Sequence, residues 1–347
     1  MSRAAKDMDM PLFALATLTP AALIAFGALQ GGWAAALGLL YMTALVALMD
    51  RLIARAAINS DPEAEFPGSD ALLAALGVAH FALLALVLWT VAGASGLHAL
   101  PRAAIGIACG LVFGQISHPV AHELIHKRPR ALRLLGRLVY TSLLTGHHAS
   151  AHLRVHHVHV ATAKDPNSPP MGTGFYRFAL SAAPGSFRAG LAAESAMLTR
   201  GGKPRWRHPY LLYVGGGMAM IAGVALLAGW RGLMVYIALC LYAQMQILLS
   251  DYVQHYGLSR RTRTDGAPEP VGPQHSWNAP HWFSSAVTLN APRHSDHHVT
   301  PSRAYPALQL DAERMPMLPR PLPVMAAVAL VPPLWRRMMD ARARRWN

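Results

Sequence analysis

The chain has 347 residues, 53% of them hydrophobic and only 14% charged, with a mean hydropathy of +0.26, a balance that excludes an ordinary soluble enzyme and points to a membrane protein. The formal net charge is +14, yet the basic residues are grouped between apolar runs and form no stripe with stacking aromatics, which argues against a nucleic-acid binder. Its two cysteines, Cys109 and Cys240, both fall inside apolar runs, so neither a disulfide framework nor a thiolate metal site is indicated.

Residues 1–10 are polar and mixed in charge, with Arg3, Lys6, Asp7 and Asp9. Residues 11–30 then make a first run of the roughly 20 apolar residues that a helix needs to cross a bilayer. Its length, its partly acidic flank and the second run that follows at once favour an uncleaved span over a signal peptide. Gln30-Gly31-Gly32 leaves room only for a tight turn, so residues 32–49 should return as the second half of a helical hairpin. A polar connection from Asp50 to Asp70, with Arg51 and Arg55, leads to a third span over 71–94. A short loop containing His98 and Pro101 leads to a fourth span over 103–121, where Gly106, Gly110 and Gly114 form a small-residue face suited to close helix packing. A basic, histidine-rich segment covers 122–208. Fifth and sixth spans follow at 210–229 and 232–250, on either side of Trp230-Arg231. In the last segment, 251–347, the apolar run 321–335 is broken by Pro332-Pro333 and reads as an interfacial or core piece. The fold class expected is therefore an all-α integral membrane protein of about six spans, with 1–347 forming a single membrane-embedded domain under a histidine-rich cap. Six spans put both termini on one side, and the basic bias of 122–208 and of the tail makes that side cytoplasmic.

Four histidine groups fall on that same side: His122-Glu-Leu-Ile-His126, His152-Leu-Arg-Val-His156-His157, His255, and His294-Ser-Asp-His297-His298. Residues four apart share a helix face, so His122 with His126, His152 with His156, and His294 with His298 are each expected to point in one direction. Nine imidazoles are too many for one ion, which takes about four to six ligands, and suit two. Glu123 makes the first group read also as the zinc-hydrolase pattern His-Glu-x-x-His, although a hydrolase would leave seven histidines without a task. A metal transporter would place its ligands near mid-membrane, whereas these lie at span ends. Imidazole alone does not choose among zinc, copper, iron and nickel; a site at the mouth of an apolar bundle, open to a hydrophobic substrate, favours redox-active iron and oxygen. Glu123, Asp165 and Asp296 are candidate acceptors for imidazole N–H groups.

These motifs resemble the integral-membrane alkane 1-monooxygenases, within the wider group of membrane fatty-acid desaturases and xylene-methyl hydroxylases. The residues that carry the likeness are His122-Glu-Leu-Ile-His126-Lys127, the His152 group followed by Asp165-Pro166, Tyr252-Val-Gln-His255-Tyr-Gly-Leu258, His275-Ser-Trp-Asn278, and Arg293-His294-Ser-Asp-His297-His298. The resemblance implies that His122, His126, His152, His156, His157, His255, His294, His297 and His298 bind two non-haem iron ions, with molecular oxygen as co-substrate and His275 and Asn278 in a further motif. It implies terminal hydroxylation of medium- or long-chain alkanes; hydroxylation of an aromatic methyl or a lipid, or desaturation, is the alternative within the same chemistry. It also implies electrons from rubredoxin and its NAD(P)H-dependent reductase, and a place in the inner membrane of a bacterium. The sequence departs from the pattern at Ala151, Val155, Asp251 and Gln254, where an acidic residue, glycine, asparagine and glutamate are usual. Trp33, Tyr41 and Met42 are candidates to narrow a substrate channel, and His147 and His148 are the histidines outside the nine most worth watching.

Overall fold

A computed structural model describes residues 9–52, 58–93 and 95–347. Arg3, Lys6, Asp7, Arg55 and the end of the third predicted span at Ala94 lie outside them. Among the described residues there are helices and only two isolated β-bridges, Thr262 with Pro268 and Asn278 with Met317.

The first helices are α1 (Asp9–Gln30), α2 (Gly32–Leu52), α3 (Gly68–Val91) and α4 (Ala99–His126). Gly31 and Gly32, both at positive φ (67° and 56°), make the tight turn between α1 and α2, a backbone that side-chain-bearing residues rarely adopt. The stripe expected on α4 packs against the last span. A Cβ on Gly110 would stand 2.3 Å from the Tyr242 ring, and one on Gly114 would stand 2.3 Å from the Gln246 side chain. The fourth span also runs further than the apolar pattern suggests, because α4 continues helically through His122 to His126. A π turn at Phe113–Ser117 just precedes Pro119, and such a turn is one way in which a helix absorbs a proline that cannot donate.

Among the described residues, five helical stretches are long and apolar enough to cross a membrane, the last being the 45 residues Leu211–His255. Gly229 breaks that stretch with φ 64° and ψ −169°. The chain folds back there: Gly216 lies beside Thr141, and Tyr236 and Cys240 hydrogen-bond to the carbonyl of neighbouring Ser142. A straight helix would separate residues 216 and 240 by about 36 Å at 1.5 Å per residue. The stretch is therefore two antiparallel helices, α8 (211–228) and α9 (230–255), the fifth and sixth spans expected, with the turn at Gly229 just before Trp230-Arg231.

Between the fourth and fifth spans lie α5 (Arg130–Ser142), the histidine-bearing α6 (148–159) and the long α7 (Phe175–Arg200). After α9 come α10 (Trp282–Val287), α11 (His294–Val299), α12 (Leu322–Ala329) and α13 (Pro332–Ala343). The broken apolar run is thus a pair of short helices. Met325 and Ala329 of α12 and Trp335 and Met339 of α13 are buried in one cluster with Tyr252 and Val253 of α9. Two polar anchors tie the cap to the spans. Asp50 at the end of α2 accepts from the amides of Phe283 and Ser284 at 2.9 and 3.0 Å, and fully buried Arg293 donates to Asn59 Oδ1 at 2.9 Å and the Ile58 carbonyl at 3.1 Å.

Candidate metal centre

The nine histidines converge where the ends of α4 and α9 meet α6 and α11. They separate into a group of five, His122, His126, His152, His157 and His297, and a buried group of four, His156, His255, His294 and His298, the candidate ligand atoms of each lying within 4.8 Å of one another. The first pair on α4 and the His294–His298 pair on α11 each stay together, as i, i+4 spacing predicts. His152 and His156 do not: His152 Nε2 faces His157 Nε2 at 2.9 Å, while His156 joins the other group. The reason is local. Residues His152–His156 form a π turn, so the helix is wound with i, i+5 contacts and residue 157, not 156, comes under residue 152. His156 and His297 each leave their neighbours in sequence for the opposite group, which interlocks the two.

Each group fits a cation. His255 Nε2 and His298 Nε2 stand 3.0 and 3.1 Å from His294 Nε2, and His297 Nε2 stands 3.1 Å from His157 Nε2. Nitrogens about 2.1 Å from one ion and about 90° apart lie about 3.0 Å from each other. His122 Nε2, His126 Nε2 and His156 Nε2 are buried without a hydrogen-bond partner, which is costly for polar atoms unless a ligand takes their lone pairs. Burial, reinforced by the neighbouring imidazoles, holds His152, His157, His294, His297 and His298 well below the ordinary histidine range. They are therefore neutral at pH 7, the form that ligates a metal.

Around this core the carboxylates divide. Asp165 Oδ2 lies 2.8 Å from His156 Nδ1 and also accepts from Ser168 Oγ at 2.7 Å, with Asp165 Oδ1 accepting the Asn167 amide at 3.1 Å. Burial opposes charge on His156, but the Asp165 carboxylate and its hydrogen bond outweigh this and raise the imidazole above its ordinary range. Glu123 is looser, 3.7 Å from His122 Nδ1. Asp296 turns from the imidazoles to Arg303 and to the Gln309 amide at 2.9 Å. His275 also points away, its Nε2 3.1 Å from Glu269, although its backbone hydrogen-bonds to His255. Asn278 fixes the start of α11: its Nδ2 donates to Ser295 Oγ at 2.7 Å and its Oδ1 accepts the Ser295 amide at 2.9 Å. Ser295 and Asn167 are partners that sequence reasoning missed; no spacing signals a residue whose task is to hold another. At the departing positions, buried Asp251 accepts from Asn167 at 2.5 Å, and Gln254 donates to the Ala291 carbonyl at 2.9 Å.

A cavity of about 110 Å³ lies against His122, His152 and His294, members of both groups, with Leu249, Leu322 and Ala326 among its apolar walls. Trp33, Tyr41 and Met42 do not line it; Trp33 is 78% exposed on the outer face of α2.

A family model for fatty acid desaturases matches residues 97–327. Alkane 1-monooxygenase 1 of Alcanivorax borkumensis is 31% identical to this chain over 352 residues, 98% of this chain and 86% of the relative. Alkane 1-monooxygenase 1 of Pseudomonas aeruginosa is 30% identical over 311 residues, covering 86% and 80%. The hydroxylase component of a xylene/toluene monooxygenase from Pseudomonas putida is 28% identical over 232 residues, covering 66% and 61%.

Proposed function

This chain belongs to the fatty acid desaturase family, in its alkane 1-monooxygenase branch, and from that premise we propose that it hydroxylates the terminal methyl of a medium- or long-chain alkane. One oxygen atom of O2 enters the C–H bond to give a primary alcohol; the other leaves as water with two electrons and two protons from an external donor. The observation that carries the reading is the cavity, which touches histidines of both groups while its remaining wall includes apolar side chains of α9 and α12. The nine histidines would hold two iron ions, which when bound supply the redox chemistry that activates oxygen and that zinc lacks.

The chain's own residues do the rest. Asp165 fixes the ring orientation of His156, and Asn278 with Ser295 sets the pitch of α11, so three of the nine imidazoles depend on one buried amide. A saturated chain offers no polar handle, so the cavity walls select it by shape, which discriminates by only about 1–3 kcal/mol per methylene. No flavin or nicotinamide fingerprint occurs in the sequence, and the electrons come from rubredoxin and its reductase docking on the basic cytoplasmic face. Turnover should therefore fall as salt rises while iron content holds; turnover indifferent to salt would contradict electrostatic docking.

The test is oxygen-dependent conversion of an n-alkane by the purified protein with rubredoxin and reductase. Formation of the 1-alkanol supports the reading. Hydroxylation of p-xylene in place of the alkane would move the chain toward the aromatic-methyl relatives. A hydrolytic activity that survived His294→Ala, with no alkanol formed by the unmodified protein, would return the zinc-hydrolase alternative, which uses only the first group.

A further inference from the structure

We propose that the loop between α7 and α8 binds the phosphate of an anionic phospholipid, whose acyl chains run down the exposed side of α8. The proposal is independent of the reaction that the histidines carry out. Arg200, Lys203, Arg205 and Arg207 are all exposed, and none of them forms an ion pair among the described residues. The sequence around them supplies no partner. No Asp or Glu occurs between Glu194 and Asp251, and Glu194 is engaged by Arg154 at 3.7 Å and Ser150 at 2.8 Å. Like charges gathered in one short loop repel one another unless an anion lies among them.

The loop stands at the level of the lipid headgroups. Residues 211–228 of α8 rise about 27 Å at 1.5 Å per residue, close to the roughly 30 Å of a bilayer's hydrocarbon core. An exposed tryptophan sits just beyond each end, Trp206 at 70% and Trp230 at 72%. Tryptophan collects at the two membrane–water interfaces, so the pair marks both. Each indole has an arginine over its ring, Arg207 at 4.9 Å and Arg231 at 5.6 Å. The two ends differ in charge: Arg231 is the only lysine or arginine between Arg207 and Asp251, whereas four cations crowd the Trp206 end.

Below those cations Leu211, Val214 and Met218 are exposed, an apolar surface for an acyl chain under a bound headgroup. A guanidinium offers phosphate two parallel N–H donors, and basic segments beside a span attract anionic lipid. An acidic protein such as rubredoxin would be drawn to the same charges. The bare indole and the apolar side chains beneath it favour a partner whose phosphate stands on a hydrocarbon chain.

The experiment titrates the detergent-solubilised full chain with dioleoyl-phosphatidylglycerol or dioleoyl-phosphatidylcholine and reads the rise in Tm. Each basic side chain at a membrane surface contributes about fivefold to anionic-lipid binding, so phosphatidylglycerol should act at a concentration at least about tenfold lower. The combined variant Lys203→Gln, Arg205→Gln, Arg207→Gln should bring the two lipids together, while Arg231→Gln leaves them apart. Equal action of the two lipids on the unmodified chain, or a preference that survives the combined variant, overturns the proposal. A combined variant that keeps the preference and loses rubredoxin binding overturns it too, and assigns the loop to the carrier. Should the combined variant fail to insert, Lys203→Gln and Arg205→Gln decide singly: each should shrink the preference by about fivefold, and no change in either overturns the proposal.

Discussion

Replacing Asp165 should loosen one metal of the pair and spare the other. Its carboxylate is buried at 4% exposure and is the only partner of His156 Nδ1 among the described residues, at 2.8 Å. An Asn side chain keeps the shape but not the charge, and Ala removes the acceptor altogether. Partners of this kind typically contribute about 10–100-fold to metal affinity, or about 1.4–2.7 kcal/mol. The structure argues for the upper half of that range in Asp165→Ala, since the site is closed to water and Ser168 and Asn167 lose their acceptor as well. His156 belongs to the group of four, so the loss should be confined there. The assay is iron per chain after dialysis against graded chelator. At a concentration that leaves the unmodified protein with two irons, Asp165→Ala should retain about one. Retention of both at the unmodified midpoint, or simultaneous loss of both, would refute the reasoning.

Three further outcomes follow from particular contacts. Asn278→Ala leaves the Ser295 amide without its buried acceptor, while the Ser295 hydroxyl still donates to the Ser276 carbonyl at 2.9 Å, and should lower stability by about 1–3 kcal/mol, seen as a lower Tm and faster iron release. An unchanged Tm would show that α11 is held by other means. Gly229→Ala forces φ 64°, ψ −169° on a residue with a Cβ; nothing lies within 4 Å of that carbon, so the cost is backbone strain alone, roughly 1–3 kcal/mol. A Tm equal to that of the unmodified protein would contradict the hairpin drawn between α8 and α9. Ala326→Trp fills the wall of the cavity and should shift preference toward shorter chains; an unaltered chain-length profile would place the substrate elsewhere.

Much of this architecture was legible in the sequence because the bilayer imposes it. Apolar runs of spanning length and basic loops marked the helices, and Trp230-Arg231 marked a turn, although the residue that makes it is Gly229 at positive φ. The nine histidines were legible too, through spacing and flanking residues. Their partition was not. The i, i+4 rule pairs His152 with His156, and only the π turn, a local winding with no clear signature in composition, sends them to different groups. Asp165 was named because a carboxylate near a histidine motif is a common acceptor, but Asp296 has the same credentials and serves Arg303 instead.

The most direct test of the account is the metal content of the purified chain. Two irons per chain, with one falling away in Asp165→Ala and no zinc in stoichiometric amount, is the predicted result. One zinc per chain and no iron would contradict a centre made by all nine histidines, and the oxygenase chemistry with it.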